Sequence, residues 1–232
     1  MSDKVCVFTG QGSQVPGMGK ELAADAEIGA LFTRANEVLG FDLAGRCFDG
    51  PAEALTQSNI CQPAIFTVSV AAFRAFQKRC PGVAFKLAGG LSLGEWTALH
   101  VAGVLDFDAA RTVLEARGRF MQQACDEQPG GMVSIMGAQP EQLAAICDRA
   151  GVTVANINSD AQVVLSGRKE GVAAAAAVAA ELGVKAIPLN VAGAFHSPLM
   201  ASAREKLAAV LAGVAFRPPQ MPVLSNVTGG LH

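Results

Sequence analysis

The sequence predicts an α/β protein: a mainly parallel sheet with flanking helices, carrying a small inserted α+β subdomain of ferredoxin-like order. Three observations lead there. Short apolar runs alternate with helical periodicity through the first half, as β-α units around a parallel sheet require. The pentapeptide Gly90-Leu91-Ser92-Leu93-Gly94 joins an apolar run, residues 83–88, to a helix-like stretch, residues 95–102. Between Ala124 and Val191 the rhythm then changes to β-α-β-β-α-β, the order of the split βαβ unit.

Taken in order, Val5–Phe8 reads as a buried strand that feeds the tight loop Thr9-Gly10-Gln11-Gly12-Ser13-Gln14. Gly10-x-Gly12 begins like a dinucleotide fingerprint, but Val15 stands where the third glycine belongs. Pro16-Gly17 then interrupts the helix that a pyrophosphate needs. Ile28, Leu31, Phe32, Ala35, Val38 and Leu39 repeat at helical spacing, with Gly40 as the stop. Pro63 is placed to open the next helix, whose apolar side is Ile65, Ala72, Phe73 and Phe76. The strand at 83–88, the serine turn and the helix at 95–102 follow, closed by Gly103. Asp106 then caps a long helix, 107–124.

In the insertion, residues 132–136, 152–157, 162–165 and 184–189 are strand-like, with Asn158-Ser159-Asp160 as the turn between the middle two. Residues 140–150 and the Ala-rich 171–182 are the helices. Ser197 can cap, and Pro198 open, a helix carrying Leu199, Ala203, Leu207, Val210 and Leu211. Residues 222–227 read as a final strand. The expected division is therefore a core of residues 1–126 with 191–232, and a subdomain of 127–190.

Bulk properties exclude several functions. Net charge is −2, from 18 basic and 20 acidic residues, and the basic residues form no long run, so no case for nucleic acid arises. Six scattered cysteines without a C-x-x-C pair argue against a metal centre or a disulfide framework and for reduced thiols. No apolar stretch is long enough to span a bilayer, and the N-terminus lacks a signal-peptide core. The expectation is a soluble cytoplasmic protein without membrane or nucleic-acid partners.

A serine at the tip of a sharp strand-to-helix turn has an exposed hydroxyl, and small residues two before and two after let the backbone turn. Ser92 is thus either a nucleophile or a capping serine in a glycine-rich turn. A nucleophile needs a base, and three histidines are available. His100 sits in an apolar context that suits packing. His232, the last residue, is expected to be mobile. His196 stands in a glycine-rich loop before the Ser197-Pro198 helix start, where a helix N-terminus favours the neutral ring; it is the base or a loop histidine bonded to backbone. On the helix 107–124, Arg117 shares a face with Ala110, Val113, Leu114, Met121 and Ala124, while Arg111, Glu115 and Gln122 are placed opposite. An inward guanidinium needs an anion: an internal Asp or Glu, or a substrate carboxylate held bidentately. No acidic residue occupies an obvious triad position after the serine, so a Ser-His dyad is expected.

These motifs together resemble the malonyl-CoA:acyl-carrier-protein transacylases. The resemblance runs from Lys4 to Val227 through Phe8-Thr9-Gly10-Gln11-Gly12-Ser13-Gln14, Gly90-Leu91-Ser92-Leu93-Gly94-Glu95, Arg117-Gly118 with Phe120-Met121, Asn156-Ile157-Asn158-Ser159 with Gln162-Val163-Val164, and Gly193-Ala194-Phe195-His196-Ser197. It implies an α/β-hydrolase-like core with a ferredoxin-like insertion. Ser92 and His196 would be catalytic, the backbone N–H groups of Gln11 and Leu93 the oxyanion hole, and Arg117 the clamp for the malonyl carboxylate. Phe195 would disfavour a methyl branch, and Asn158 would lie near the active-site mouth. The substrates would be malonyl-CoA and the phosphopantetheine thiol of acyl carrier protein, with no permanently bound cofactor. Carrier proteins are acidic, so a basic patch including Arg168 and Lys169 is expected near the mouth.

Two departures from the family pattern stand out. Leu91 replaces the histidine common before the nucleophile, and relatives continue past the position of His232 with further strand and helix. The alternatives are therefore a fragment of such a transacylase, a shortened, catalytically impaired transacylase-like subunit or scaffold, and a serine esterase or thioesterase built on the same elbow. A polyketide synthase or malonate decarboxylase acyltransferase unit is a closer variant of the first reading.

Overall fold

The computed structural model describes residues 4–232, which divide into two compact units. The first comprises residues 4–118 together with Ala209–His232; the second is Arg119–Ala208.

In the first unit, strand β1 (Val5–Phe8) pairs in parallel with β2 (Leu87–Gly90), setting Val5 opposite Leu87 and Phe8 opposite Gly90. The sequence places this second strand at 83–88. It begins later because Phe85 packs against Phe73 and Phe76, so the chain enters the ladder only at Leu87. The expected final strand at 222–227 reduces to bridges, Val223 parallel to Ala88 and Leu224 antiparallel to Leu231. Ala88 donates to the Pro222 carbonyl and accepts from Leu224 N–H, both at 2.9 Å, before the segment turns away.

Helices α1 (Ala26–Leu39) and α2 (Leu43–Asp49) are each opened by an aspartate accepting backbone N–H groups, Asp25 and Asp42. Gly40 ends α1 at φ 72°, the stop the sequence announced. Helix α3 (Ser58–Arg79) starts five residues before Pro63, which lies inside it. The missing proline N–H removes a single rung near the start, and the buried run from Ile60 to Thr67 holds that turn in place. Helix α4 (Leu93–Val101) leaves the serine turn directly. Helix α5 (Phe107–Glu127) follows, with Asp106 Oδ1 accepting from Ala109 N–H at 2.8 Å. The core gathers Cys6, Phe8, Phe66, Ala88, Leu93, Ala98, Leu105, Leu114 and Val223 around the parallel pair.

Arg111 corrects the helical-wheel reading of α5. It is fully buried rather than on a solvated face, bonded to Asp108 Oδ1 at 3.1 Å and stacked 4.7 Å above the Phe107 ring. Protein covers α5 over a wide arc, Ala110 to Leu114 except Thr112, so a wheel with one apolar stripe misplaces it. His232 is likewise not loose: its backbone N–H meets the Val223 carbonyl at 3.0 Å and its ring pairs with Glu95. His100 packs as expected, against Phe66 and Phe107, with Nδ1 3.0 Å from the Leu105 carbonyl; burial lowers its pKa.

The second unit is built on an antiparallel sheet of four strands, β3 (Gly130–Met136), β4 (Thr153–Ser159), β5 (Gln162–Arg168) and β6 (Lys185–Pro188), in the order β4-β5-β3-β6. Helices α6 (Pro140–Ala150) and α7 (Lys169–Glu181) cover one face, where Val133, Ile135, Ile146, Leu165, Ala175 and Ala179 make the core. Asn158 belongs to β4 rather than to the turn, because the pairing of Ser159 with Gln162 carries the strand to its end and leaves Asp160-Ala161 to reverse the chain. After β6, Ser197 Oγ accepts from Leu199 N–H as a cap, but what it opens is a 3-10 turn, Pro198–Met200, before helix α8 (Ala201–Leu211). Among the described residues no helix is long and apolar enough to cross a membrane.

Leu165 is fully buried at the centre of this second core. Leu165→Ala should lower stability by about 2–5 kcal/mol, read as a shift in the urea unfolding midpoint.

Candidate active site

The serine turn is made by backbone touching backbone. A Cβ built on Gly90 would lie 2.3 Å from the carbonyl carbon of Gly94, and one on Gly94 would lie 2.2 Å from the Phe8 carbonyl oxygen. Only glycine fits either position, which is why the sequence brackets Ser92 with the pair. Between them Ser92 adopts φ 52°, ψ −94°, a conformation costing on the order of 1–3 kcal/mol for an L side chain. The loop after β1 rests on the same turn: a Cβ on Gly10 would come 2.7 Å from the Leu91 carbonyl oxygen. Gln11 is therefore set beside the elbow, and Leu93, its side chain fully buried, opens α4 behind the serine. Leu91 itself is half-exposed at the tip.

Arg117 reaches this turn from α5. Its Nη2 donates to Ser92 Oγ at 2.9 Å and its Nη1 to Gln62 Oε1 at 2.7 Å. Gly118 makes the approach possible, since a Cβ there would collide with the Ser58 carbonyl oxygen at 2.3 Å and push α5 off the start of α3. Gln62 is fully buried and continues the network, its Nε2 3.5 Å from Gln11 Oε1, while Gln11 Nε2 donates to Ser58 Oγ at 3.4 Å. Of the two partners open to an inward guanidinium, an internal carboxylate or a ligand, the hydrogen bonds favour the second: both acceptors are neutral. Burial pulls the Arg117 pKa down to about 10, with Glu95 acting through space in the opposite direction. A cation held this way is suited to a carboxylate brought in by substrate.

The elbow is closed from a third side. Asn226 Oδ1 accepts the Ser92 N–H and its Nδ2 donates to the Gly90 carbonyl at 2.8 Å. Gln62 and Asn226 are the site residues that sequence reasoning missed. Gln62 precedes a proline in an apolar helix, where a buried amide is a visible oddity; Asn226, in a Ser-Asn-Val-Thr turn, gave no such signal.

Ser92, Leu93, Gln11 and Arg117 thus come together within the first unit. His196, Phe195 and Asn158 belong to the second. Phe195 is buried with Cys125, Met132 and Val164, and His196 follows it at φ 58°, exposed. The loop is braced by Ser197 Oγ donating to the Ala194 carbonyl at 2.7 Å, and by Gly193, where a Cβ would strike Cys125 Sγ at 2.3 Å. Among the described residues, Ser92 and His196 are the two non-glycine residues at positive φ. Asn158 is exposed on β4, its Nδ2 3.3 Å from Gln162 Oε1.

Residues 5–232 match the acyl transferase domain family. This chain belongs to that family. The acyl transferase domain is 42% identical to the malonyl CoA-acyl carrier protein transacylase of Escherichia coli strain K12, across 98% of this chain and 75% of the relative. It is 40% identical to the protein of the same name from Bacillus subtilis strain 168, across 98% and 74%. Among solved structures it resembles a malonyl-transacylase in complex with its type II polyketide synthase acyl-carrier protein, with a TM-score of 0.94 and 40% identity, covering 100% of this chain and 76% of that one. The malonyl CoA-acyl carrier protein transacylase of Clostridium perfringens gives a TM-score of 0.92 at 36% identity, covering 100% and 74%.

Gly94→Ala should separate the elbow of this acyl transferase from β1. The expected cost is about 1–3 kcal/mol, read as a lowered midpoint in urea unfolding.

Proposed function

We propose that this chain transfers a malonyl group from malonyl-CoA to the phosphopantetheine thiol of acyl carrier protein through a malonyl-Ser92 intermediate, in fatty acid or polyketide synthesis. The observation that carries this reading is the guanidinium of Arg117 standing 2.9 Å from Ser92 Oγ, its hydrogen-bond partners among the described residues, Ser92 and Gln62, both being neutral. In a malonyl ester one methylene separates the acyl carbon from the carboxylate, so a cation beside the ester oxygen is within reach of that charge. A neutral acyl group has no use for it.

In the mechanism, Ser92 Oγ attacks the thioester carbonyl as His196 takes its proton. The N–H groups of Gln11 and Leu93 hold the resulting oxyanion. Collapse breaks the carbon–sulfur bond, and the CoA thiolate leaves with the proton from His196. The carrier thiol then gives its proton to His196, attacks the malonyl ester and returns Ser92 as the alcohol. Support for His196 comes from the family motif and from its positive φ, which it shares with Ser92; strained side chains of this kind cluster where chemistry is done. Phe195, packed on Cys125, Met132 and Val164, is rigid enough to disfavour a methyl branch beside the malonyl carbonyl. Asn158 is proposed for the rim of the site.

The finer architecture is proposed with it: an α/β-hydrolase-like core of residues 1–126 and 191–232, and a ferredoxin-like subdomain of 127–190. The strand order β4-β5-β3-β6, antiparallel throughout, supports the latter. Six unpaired thiols fit a reducing cytoplasmic setting.

Incubation with malonyl-CoA and intact mass measurement should show a malonyl adduct that maps to Ser92 and disappears in Ser92→Ala. Arg117→Ala should lower malonyl loading by about 100-fold or more while sparing acetyl loading, since it removes a charge-assisted contact worth about 3 kcal/mol. Intact malonyl loading in Arg117→Ala would remove the carboxylate clamp; an active esterase with no malonyl adduct would favour the hydrolase alternative. Arg168 and Lys169, both exposed at the start of α7, are the proposed carrier-docking charges. Reversing both should raise KM for acyl carrier protein several-fold and leave loading from malonyl-CoA unchanged.

A further inference from the structure

We propose that Asn226 is a positioning residue for the nucleophile: its carboxamide stands in for a peptide group of the parallel ladder and so holds the Ser92 turn in its reactive shape. The segment from Pro222 runs alongside β2 as a third strand would. Ala88 N–H bonds the Pro222 carbonyl, and the Ala88 carbonyl accepts from Leu224 N–H. Continued as a parallel ladder, the pairing would join the Gly90 N–H to the Leu224 carbonyl and then the Asn226 N–H to the Gly90 carbonyl. That last rung is not made by backbone. The Gly90 carbonyl accepts from Asn226 Nδ2 at 2.8 Å, and the displaced Asn226 N–H turns to Glu95 Oε1 at 3.4 Å. The other end of the same carboxamide, Oδ1, accepts the Ser92 N–H. One planar amide therefore bridges the residue two before the nucleophile and the nucleophile itself, across the point where the strand becomes the elbow.

Two consequences follow for the reaction. First, Ser92 at φ 52° cannot extend the ladder with its own backbone, so its N–H needs a partner from outside the strand. Asn226 supplies one and fixes the peptide plane that aims Oγ. Second, with the Ser92 N–H occupied, the next N–H, that of Leu93, is left to face the acyl oxygen. The Asn226 backbone is itself fixed: Ser225 N–H bonds the Gly230 carbonyl at 2.9 Å, and Ser225 Oγ accepts from Val227 N–H at 3.3 Å. A carboxylate of the same shape would accept from Ser92 but could not donate to Gly90, and it would face the nearby Glu95 carboxylate.

This inference deepens the transacylase reading, so the test uses two acyl donors. The rate of Ser92 acylation is measured with malonyl-CoA and with p-nitrophenyl acetate, whose neutral acyl group needs no carboxylate clamp. Asn226→Ala should slow acylation by about 10- to 100-fold with both donors, with KM for malonyl-CoA within twofold of the parent, as expected for a misaimed nucleophile. Asn226→Asp should be comparably slow at pH 8. Its deficit relative to the parent at the same pH should shrink as the pH falls toward about 5, because the protonated acid regains a donor for the Gly90 carbonyl. A role in packing alone would leave that ratio flat. Should Asn226→Ala lose its thermal transition, the pH ratio of the aspartate variant decides. Rates within twofold of the parent for Asn226→Ala, or a pH-independent Asn226→Asp ratio, would overturn the inference. A parent that reacts with p-nitrophenyl acetate but not malonyl-CoA would sink the malonyl reading and leave the Asn226 test standing; a parent inert to both would sink the two together.

Discussion

The close approach of backbone to backbone around Ser92 is the constraint on which the site depends. Gly94 lies against the Phe8 carbonyl, Gly90 against Gly94, and Gly10 against the Leu91 carbonyl. None of these contacts survives the addition of a methyl group. Their combined effect is to hold a serine at a conformation its own side chain disfavours, with the half-buried hydroxyl beside Arg117 and the first turn of α4 behind it. The parallel pair β1–β2 and its core, Phe8, Phe66, Ala88, Leu93 and Leu114, supply the rigidity that keeps this strain from relaxing.

Polar groups then do what apolar packing cannot: they set direction. Gln62 and Ser92 Oγ fix the Arg117 guanidinium, and Gly118 lets its helix come close enough to be fixed. The guanidinium is desolvated and, among the described residues, has no directly bonded carboxylate, which destabilises its charged form. Asn226 extends the same logic to the backbone, substituting a side-chain amide where the ladder ends. The site is thus a strained turn held by neutral amides, with the Arg117 guanidinium beside the serine hydroxyl.

Much of this was legible from residues. G-x-S-x-G between an apolar run and a helix specifies the elbow, because only that arrangement of small residues allows the turn. Arg117 reads as inward because charge on an apolar stripe is anomalous. The same wheel failed for Arg111, since a helix covered on more than one side has no single buried stripe. Strand limits slipped near Phe85, where aromatic packing outcompeted pairing, and at 222–227, where the chain makes two rungs and then turns. Pro63 misled because a buried helix tolerates one missing rung near its start.

What the sequence determined by itself is the set of local necessities: glycines where a Cβ cannot fit, caps where N–H groups need acceptors, a serine at a turn and an arginine on an apolar face. These are legible because their causes act over a few residues. Only the tertiary structure decided which amides meet them. Gln62 is 55 positions from Arg117, and Asn226 is 134 positions from Ser92. A hydrogen bond between such residues depends on how whole elements dock, and a short-range pattern carries no record of that.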